Sequence, residues 1–151
     1  VEMDSYGHDV EAGWLLCEAA RVLEDRQLMD RANRLALDVT DACLAEGLSD
    51  KGYMMYEKKG GRTTGHASWW GQIETMIACV NAWQISGNDV YLQSADTVWT
   101  FVKDCMIDRE YGEWYSDCFD GEPKKDTPKV SMWRCPYHTV RLGVEIHNRL
   151  K

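Results

Sequence analysis

The sequence has no apolar run near the roughly 20 residues that span a bilayer. It has no surplus of positive charge either. Its 17 Lys and Arg face 25 Asp and Glu, a formal net charge of −8. Nucleic acids and anionic membranes select a basic footprint, so neither is an expected partner. None of the six cysteines forms a Cys-x-x-Cys pair, and no Asn-x-Ser/Thr acceptor occurs. Cysteines inside apolar patterns, unpaired in spacing, predict reduced core thiols in a cytoplasmic protein rather than a disulfide framework. There is no His-Glu-x-x-His, and Cys135-x-x-His138 has no second ligand pair at zinc spacing, so no metal is expected. The chain lacks both a Gly-x-Gly-x-x-Gly and a Walker A run, so no nucleotide cofactor is expected. Without a Gly-x-Ser-x-Gly a serine triad has no starting point. Val1 is not an initiator methionine, which leaves a processed or truncated start open.

What is present points to order. Of 151 residues 44% are hydrophobic and seven are Trp, too apolar and aromatic for a disordered acidic chain. The length suits a single domain over residues 1–151 with a sizeable core. Val10, Trp14, Cys17 and Ala20 fall at helical spacing and predict a helix from Asp9 to Glu24. Leu28, Ala32, Leu35, Val39 and Cys43 predict a second from Gln27 to Glu46, stopped by Gly47. Lys51 to Lys58 alternates weakly and reads as a strand or hairpin arm, with a loop at Lys59–Arg62. The order then repeats: a helix from Trp69 to Ile85, a turn at Ser86–Asp89, a helix from Val90 to Ile107, and a short strand at Tyr111–Tyr115. A charged loop follows at Asp120–Pro128, and a third copy opens at Pro136 and ends near Leu150.

The fold class read from this order is all-α, helical-hairpin repeats with short β-hairpin arms between them. Units of roughly 60 residues stack, because one pair of helices cannot bury its apolar face alone. Alternate helices of a stacked series run parallel, so the first, third and fifth begin at one end. That end gathers Ser5-Tyr6-Gly7-His8-Asp9, Ser68-Trp69-Trp70 and Trp133-Arg134-Cys135-Pro136-Tyr137-His138. His8 and His138 each stand at a helix start, where the helix dipole disfavours the imidazolium. Two neutral imidazoles facing one volume could remove a proton from one face of a carbon and return one to the other. Glu11 lies three residues after His8 and Glu74 four after Trp70, each pair on one helix face. Trp14, Trp69, Trp70 and Trp133 are of the type that stacks on sugar rings. The plainer alternatives are histidine caps, solvated glutamates and core tryptophans. His66 and His147 stand apart and read as structural or solvent-facing.

Four segments carry a family resemblance. Residues 5–16, with Gly7-His8-Asp9-Val10-Glu11 and Trp14-Leu15-Leu16, resemble the G-H-D-x-E-x-x-W-L-L segment of the N-acylglucosamine 2-epimerase and cellobiose 2-epimerase superfamily. Trp69-Trp70-Gly71-Gln72-Ile73-Glu74 resembles its W-W-x-Q-x-E segment, with Gly71 where Pro or a bulkier residue is expected. Asp108 to Trp114 resembles D-x-E-x-G-E-W, and Trp133 to His138 resembles W-K-C-P-Y-H, typical of the cellobiose 2-epimerase branch.

The resemblance implies part of an (α/α)6 barrel, a ring of helical hairpins with the active site at one end, of which this chain is the carboxy-terminal portion. It implies a cofactor-free, metal-free epimerase that inverts C2 of a reducing-end aldose in a mono- or disaccharide. The sugar ring opens, one histidine takes the C2 proton to give a cis-enediolate, and a proton returns to the opposite face. His8 and His138 are then the acid/base pair, while Glu11 and Glu74 position the sugar. Trp14 and Trp70 wall the pocket, and Trp133 stacks on a second ring. The family also uses an arginine from its amino-terminal part, and no position here matches it. Rival readings are an aldose–ketose isomerase acting on mannose, a glycoside hydrolase on the same barrel type, and an inactive sugar-binding or structural fragment. An open barrel edge exposes apolar surface, so a homo-oligomer is a further expectation.

Overall fold

The computed structural model describes residues 3–151; Val1, and with it the question of the start, lies outside them. Among the described residues five helices run in chain order: α1 (Tyr6–Val22), α2 (Arg26–Gly47), α3 (Trp69–Ser86), α4 (Val90–Phe101) and α5 (Tyr137–Arg149). They form two antiparallel hairpins and the opening of a third. Local chemistry sets their ends. Asp25 accepts hydrogen bonds from the backbone N–H of Gln27 and Leu28 at 2.9 and 3.1 Å and so starts α2. Ser68 does the same for Gly71 at the start of α3. Gly87 closes α3 in the left-handed region at φ 70°, its N–H bonded to the Trp83 carbonyl.

Helix α3 packs against α1, α2, α4 and α5. Residues 71–82 are buried without interruption, as a helix surrounded by neighbours must be. Side-chain pairings show that α1, α3 and α5 run parallel. Going up α1 and α3, Gly7 lies at Trp70, Trp14 at Glu74 and Cys17 at Asn81. Along α5, His138 meets Glu74 and Arg149 meets Asn81. Helix α5 has no fully buried residue. It is held by arginines: Arg149 donates to Asn81 and Gln84 of α3 at 3.0 Å each, and to Glu18 of α1.

Two small antiparallel sheets sit where α1 and α3 begin. In one, β1 (Met3–Asp4) pairs with β2 (Glu57–Lys59), which turns through Gly60 and Gly61 to β3 (Arg62–Thr64). Both turn glycines have positive φ, +54° and +77°, as a two-residue hairpin loop requires. In the other, β4 (His66–Ser68) pairs with β5 (Asp117–Phe119), which turns through Asp120 and Gly121 to β6 (Glu122–Pro123).

The arms are as expected in kind but displaced in sequence. Residues 51–54 are not a strand. Gly52 at φ +86° makes a turn, Tyr53 and Met54 are buried, and the Gln72 side chain satisfies both backbone groups of Met54 at 2.8 Å. The alternation at Lys51–Lys58 therefore records burial against a helix, and the ladder starts only at Glu57. Tyr111–Tyr115 is likewise a turn, built on positive φ at Gly112 and Glu113 and on Asp108 accepting from the N–H of Glu110 and Tyr111. The expected loop at Asp120–Pro128 begins as the β5–β6 hairpin tip. Helix α4 ends at Phe101 and continues as a π-helical turn, Val102–Met106, in which Ile107 N–H reaches back to Val102. Helix α1 starts at Tyr6, three residues earlier than its periodicity suggests, with Ser5 as its extended N-cap and the Ser5 carbonyl accepting from the Asp9 N–H.

All six cysteines are free thiols, and Cys17, Cys43 and Cys79 are buried as their helical positions predict. Among the described residues no helix is long and apolar enough to cross a membrane.

Candidate active site

The parallel run of α1, α3 and α5 brings His8, Glu11, Trp14, Trp70, Glu74 and His138 to one end. Trp70 is the hinge of the arrangement. Its ring centroid lies 4.5 Å from that of His8 and 6.0 Å from that of His138. It comes so close to α1 because Gly7 has no side chain: a Cβ there would lie 2.6 Å from the Trp70 ring. Gly71 belongs to the same close approach, its Cα 3.2 Å from that Cβ position.

Each histidine is held through Nδ1. Ser5 Oγ lies 2.7 Å from His8 Nδ1, and the Ser5 side chain caps no helix N–H. Glu74 Oε1 lies 2.7 Å from His138 Nδ1. In both cases Nε2 is left for other chemistry, so the pair is matched in presentation but backed differently, by a neutral hydroxyl and by a carboxylate.

Glu74 is fully buried and fully engaged. Trp14 Nε1–H donates to Oε2 at 2.9 Å, and Arg141 Nη1 donates to Oε1 at 3.0 Å. The same Arg141 nitrogen donates to Glu11 Oε1 at 2.5 Å. The guanidinium lies over the Tyr137 ring at 4.2 Å and over the Trp14 ring at 5.4 Å. Glu11, Glu74 and His138 bring potential ligand atoms within 4.8 Å of one another, a grouping that could suit a cation. The positive group bonded to both carboxylates is Arg141.

The expected residues thus fall into three places. His8, Glu11, Trp70, Glu74 and His138 converge. Trp14 is buried behind Glu74, 3% exposed, so its indole orients the carboxylate rather than forming an open wall. Trp133 stands 85% exposed in the Ser131–Arg134 turn, outside the aromatic cluster. Nor are the seven tryptophans mainly pocket wall. Trp83 donates to Asp89, and the exposed Trp99 lies 6.2 Å from the partly buried Trp114. Arg141 and Ser5 were missed by sequence reasoning. The signal for Arg141 was its place one helical turn after His138.

The surroundings are also organised by charge. Lys129 donates to Asp108 at 2.5 Å and holds that carboxyl well below the usual range, helped by the N–H of Tyr111. Arg134, buried over the Trp69 ring, bonds Glu113 and the Trp114 carbonyl and anchors the segment before His138. His66 is stacked between Tyr56 and Phe119 at 4.5 and 5.1 Å. Burial lowers its pKa, and burial raises that of its neighbour Asp117. His147 is exposed, as expected.

The chain is similar to known proteins over nearly its whole length. The N-acylglucosamine 2-epimerase (GlcNAc 2-epimerase) family profile matches residues 4–141. The cellobiose 2-epimerase of Bacteroides fragilis is 40% identical over 147 residues, covering 94% of this chain and 37% of that protein. A crystal structure of a sugar epimerase from a ruminal bacterium superposes with a TM-score of 0.93 at 35% identity, over 98% of this chain and 38% of that one. The cellobiose 2-epimerase structure from Bacillus thermoamylovorans B4167 gives 0.87 at 33%, over 99% and 38%. This chain therefore spans under two-fifths of the length of these relatives. Its helices are part of an (α/α)6 barrel, and the chain belongs to the N-acylglucosamine 2-epimerase family.

Proposed function

We propose that this chain carries the acid/base end of a sugar 2-epimerase that inverts C2 of a reducing-end aldose, with cellobiose or another β-1,4-linked disaccharide as substrate. The observation that carries the reading is the placing of His8 and His138 beside one Trp70 ring, at centroid distances of 4.5 and 6.0 Å, each with Nδ1 engaged. The relatives' names support the reaction class. In the open-chain aldose the C2 proton is acidified by the adjacent aldehyde. One Nε2 takes that proton, the C2–H electron pair becomes the C1=C2 bond of a cis-enediolate, and the aldehyde π pair moves onto O1, to return when C2 is reprotonated. Protonation of C2 from the other histidine on the opposite face gives the epimer, and solvent exchange resets both imidazoles. Trp70 supplies an apolar platform beside both histidines, and Trp133 stacks on the second sugar ring. The domain is the carboxy-terminal part of the enzyme. The exposed apolar side chains of α1, α2 and α5, among them Leu16, Leu35 and Val144, form the open edge through which copies pair.

The test is an NMR assay in deuterated water with the protein that carries this chain. Cellobiose should lose its C2–H signal as the 2-epimer forms. His8→Ala and His138→Ala should each slow this by roughly 10²–10⁴-fold, the range of a lost acid or base. Native rates in either variant would remove the role assigned here. Ketose with label at C1 would favour an isomerase, free monosaccharide a hydrolase, and binding without exchange a sugar-binding fragment.

A further inference from the structure

Glu74 is the one fully buried carboxylate of the site, and its partners explain how it is held there. A buried carboxylate is stable only when it is paired and its lone pairs are used. Three groups reach it: Trp14 N–H, His138 Nδ1 and Arg141 Nη1. Only Arg141 brings a permanent positive charge. That charge is shared with Glu11 on α1, so one guanidinium ties together the helices of both histidines. It is itself fixed in place, with Tyr137 one turn earlier on α5 under one side of it and Trp14 near it on α1.

We propose that Arg141 is a positioning residue: by holding Glu74 ionised, it fixes His138 in the tautomer that carries hydrogen on Nδ1 and leaves Nε2 bare. The logic is a matter of proton placement. An ionised Glu74 has only acceptors, so the facing Nδ1 must donate. A protonated Glu74 would donate to Nδ1 and move the ring hydrogen to Nε2, where a base needs a lone pair. With the guanidinium removed, the buried carboxylate keeps two donors and no fixed cation. The cheapest response is to acquire a proton, on Glu74 or on the His138 ring, and either removes the bare Nε2. Arg141 bonds both carboxylates, and in this proposal it acts through Glu74 and not through the sugar.

This inference rests on the acid/base role of His138, and the experiment separates the two. Long-range ¹H–¹⁵N correlation of the imidazole of His138 in the whole protein, at neutral pH and without sugar, reads the tautomer directly. Wild type should show hydrogen on Nδ1 with a bare Nε2. Arg141→Met should show the Nε2-protonated tautomer or the imidazolium. Its kcat for C2 exchange should fall roughly 100-fold, the scale of a misplaced catalytic group, with KM within about threefold. Arg141→Lys keeps the charge on a stem that reaches one carboxylate; it should keep the wild-type tautomer and recover about tenfold of the lost kcat. If Arg141→Met unfolds, the lysine variant carries the same reading. A methionine or lysine variant with raised KM and unchanged kcat would place Arg141 on the substrate and overturn the proposal. So would an Arg141→Met ring with an unaltered tautomer and full kcat. If wild type shows the expected tautomer but His138→Ala exchanges at the native rate, the acid/base role of His138 fails and the positioning of the ring stands.

Discussion

Gly7→Ala and Gly13→Ala place the same methyl group on two buried glycines of α1, and the structure separates them sharply. At Gly7 the added Cβ would lie 2.6 and 2.7 Å from two ring carbons of Trp70, and 3.2 Å from the Gly71 Cα. Carbon atoms rest at about 3.5–4.0 Å, so the ring must retreat by roughly 0.9 Å. It has little room to do so, with His8, Tyr56 and His138 around it and α3 backbone behind. Overpacking of this kind costs about 1–3 kcal/mol, against at most about 1 kcal/mol gained from removing a helical glycine. At Gly13 the new Cβ would meet Ala36 atoms at 3.5–4.0 Å, which is ordinary contact. There the helix gain should appear nearly whole, about 0.5–1 kcal/mol. The two variants should therefore stand about 2 kcal/mol apart, or roughly 4–8 °C in Tm for a chain of this size. Circular dichroism melts measure that gap. The same ring displacement beside both histidines should slow C2 exchange by up to about 10²-fold in Gly7→Ala and leave Gly13→Ala unaffected. Equal melting temperatures and equal exchange rates would refute the claim that Gly7 sets the position of Trp70.

Three further outcomes follow from particular contacts. Gln72→Leu strips the Met54 N–H and C=O of their partner in the core and should cost about 2–4 kcal/mol in urea unfolding. Ser5→Ala should change stability by less than about 0.5 kcal/mol, since its hydroxyl caps no helix N–H, yet slow exchange roughly tenfold by freeing His8. Lys129→Met should destabilise the chain at neutral pH by an amount that shrinks on acidification. The folded pKa of Asp108 is depressed, so its pairing with Lys129 is at full strength above the unfolded value near 4 and fades as pH falls below it. Unfolding midpoints of both proteins at pH 7 and near pH 3 give the comparison; a constant difference would contradict it.

Helix placement was legible because apolar spacing on α1 to α4 reflects burial directly. The arms were legible in kind only. Alternation at residues 51–58 has the same appearance whether the partner is a strand or, as here, the Gln72 side chain, and sequence does not reveal which. Five of the expected site residues converge, as the reasoning that parallel alternate helices share an end predicts. Trp133, whose stacking role the resemblance implies, stands exposed in the turn at Ser131–Arg134.

The linear pattern by itself determined the repeat, the buried thiols, the family and which two histidines stand at the shared helix end. These depend on residue type and short spacing, which the chain carries in one dimension. Only the tertiary structure decided how those histidines are backed. Arg141 meets Glu11 across 130 residues of sequence and Glu74 across 67, and Trp14 meets Glu74 across 60. Whether a glutamate is solvated or fully buried, and which cation compensates it, depends on which helix faces pack together, and that is settled only when α1, α3 and α5 meet.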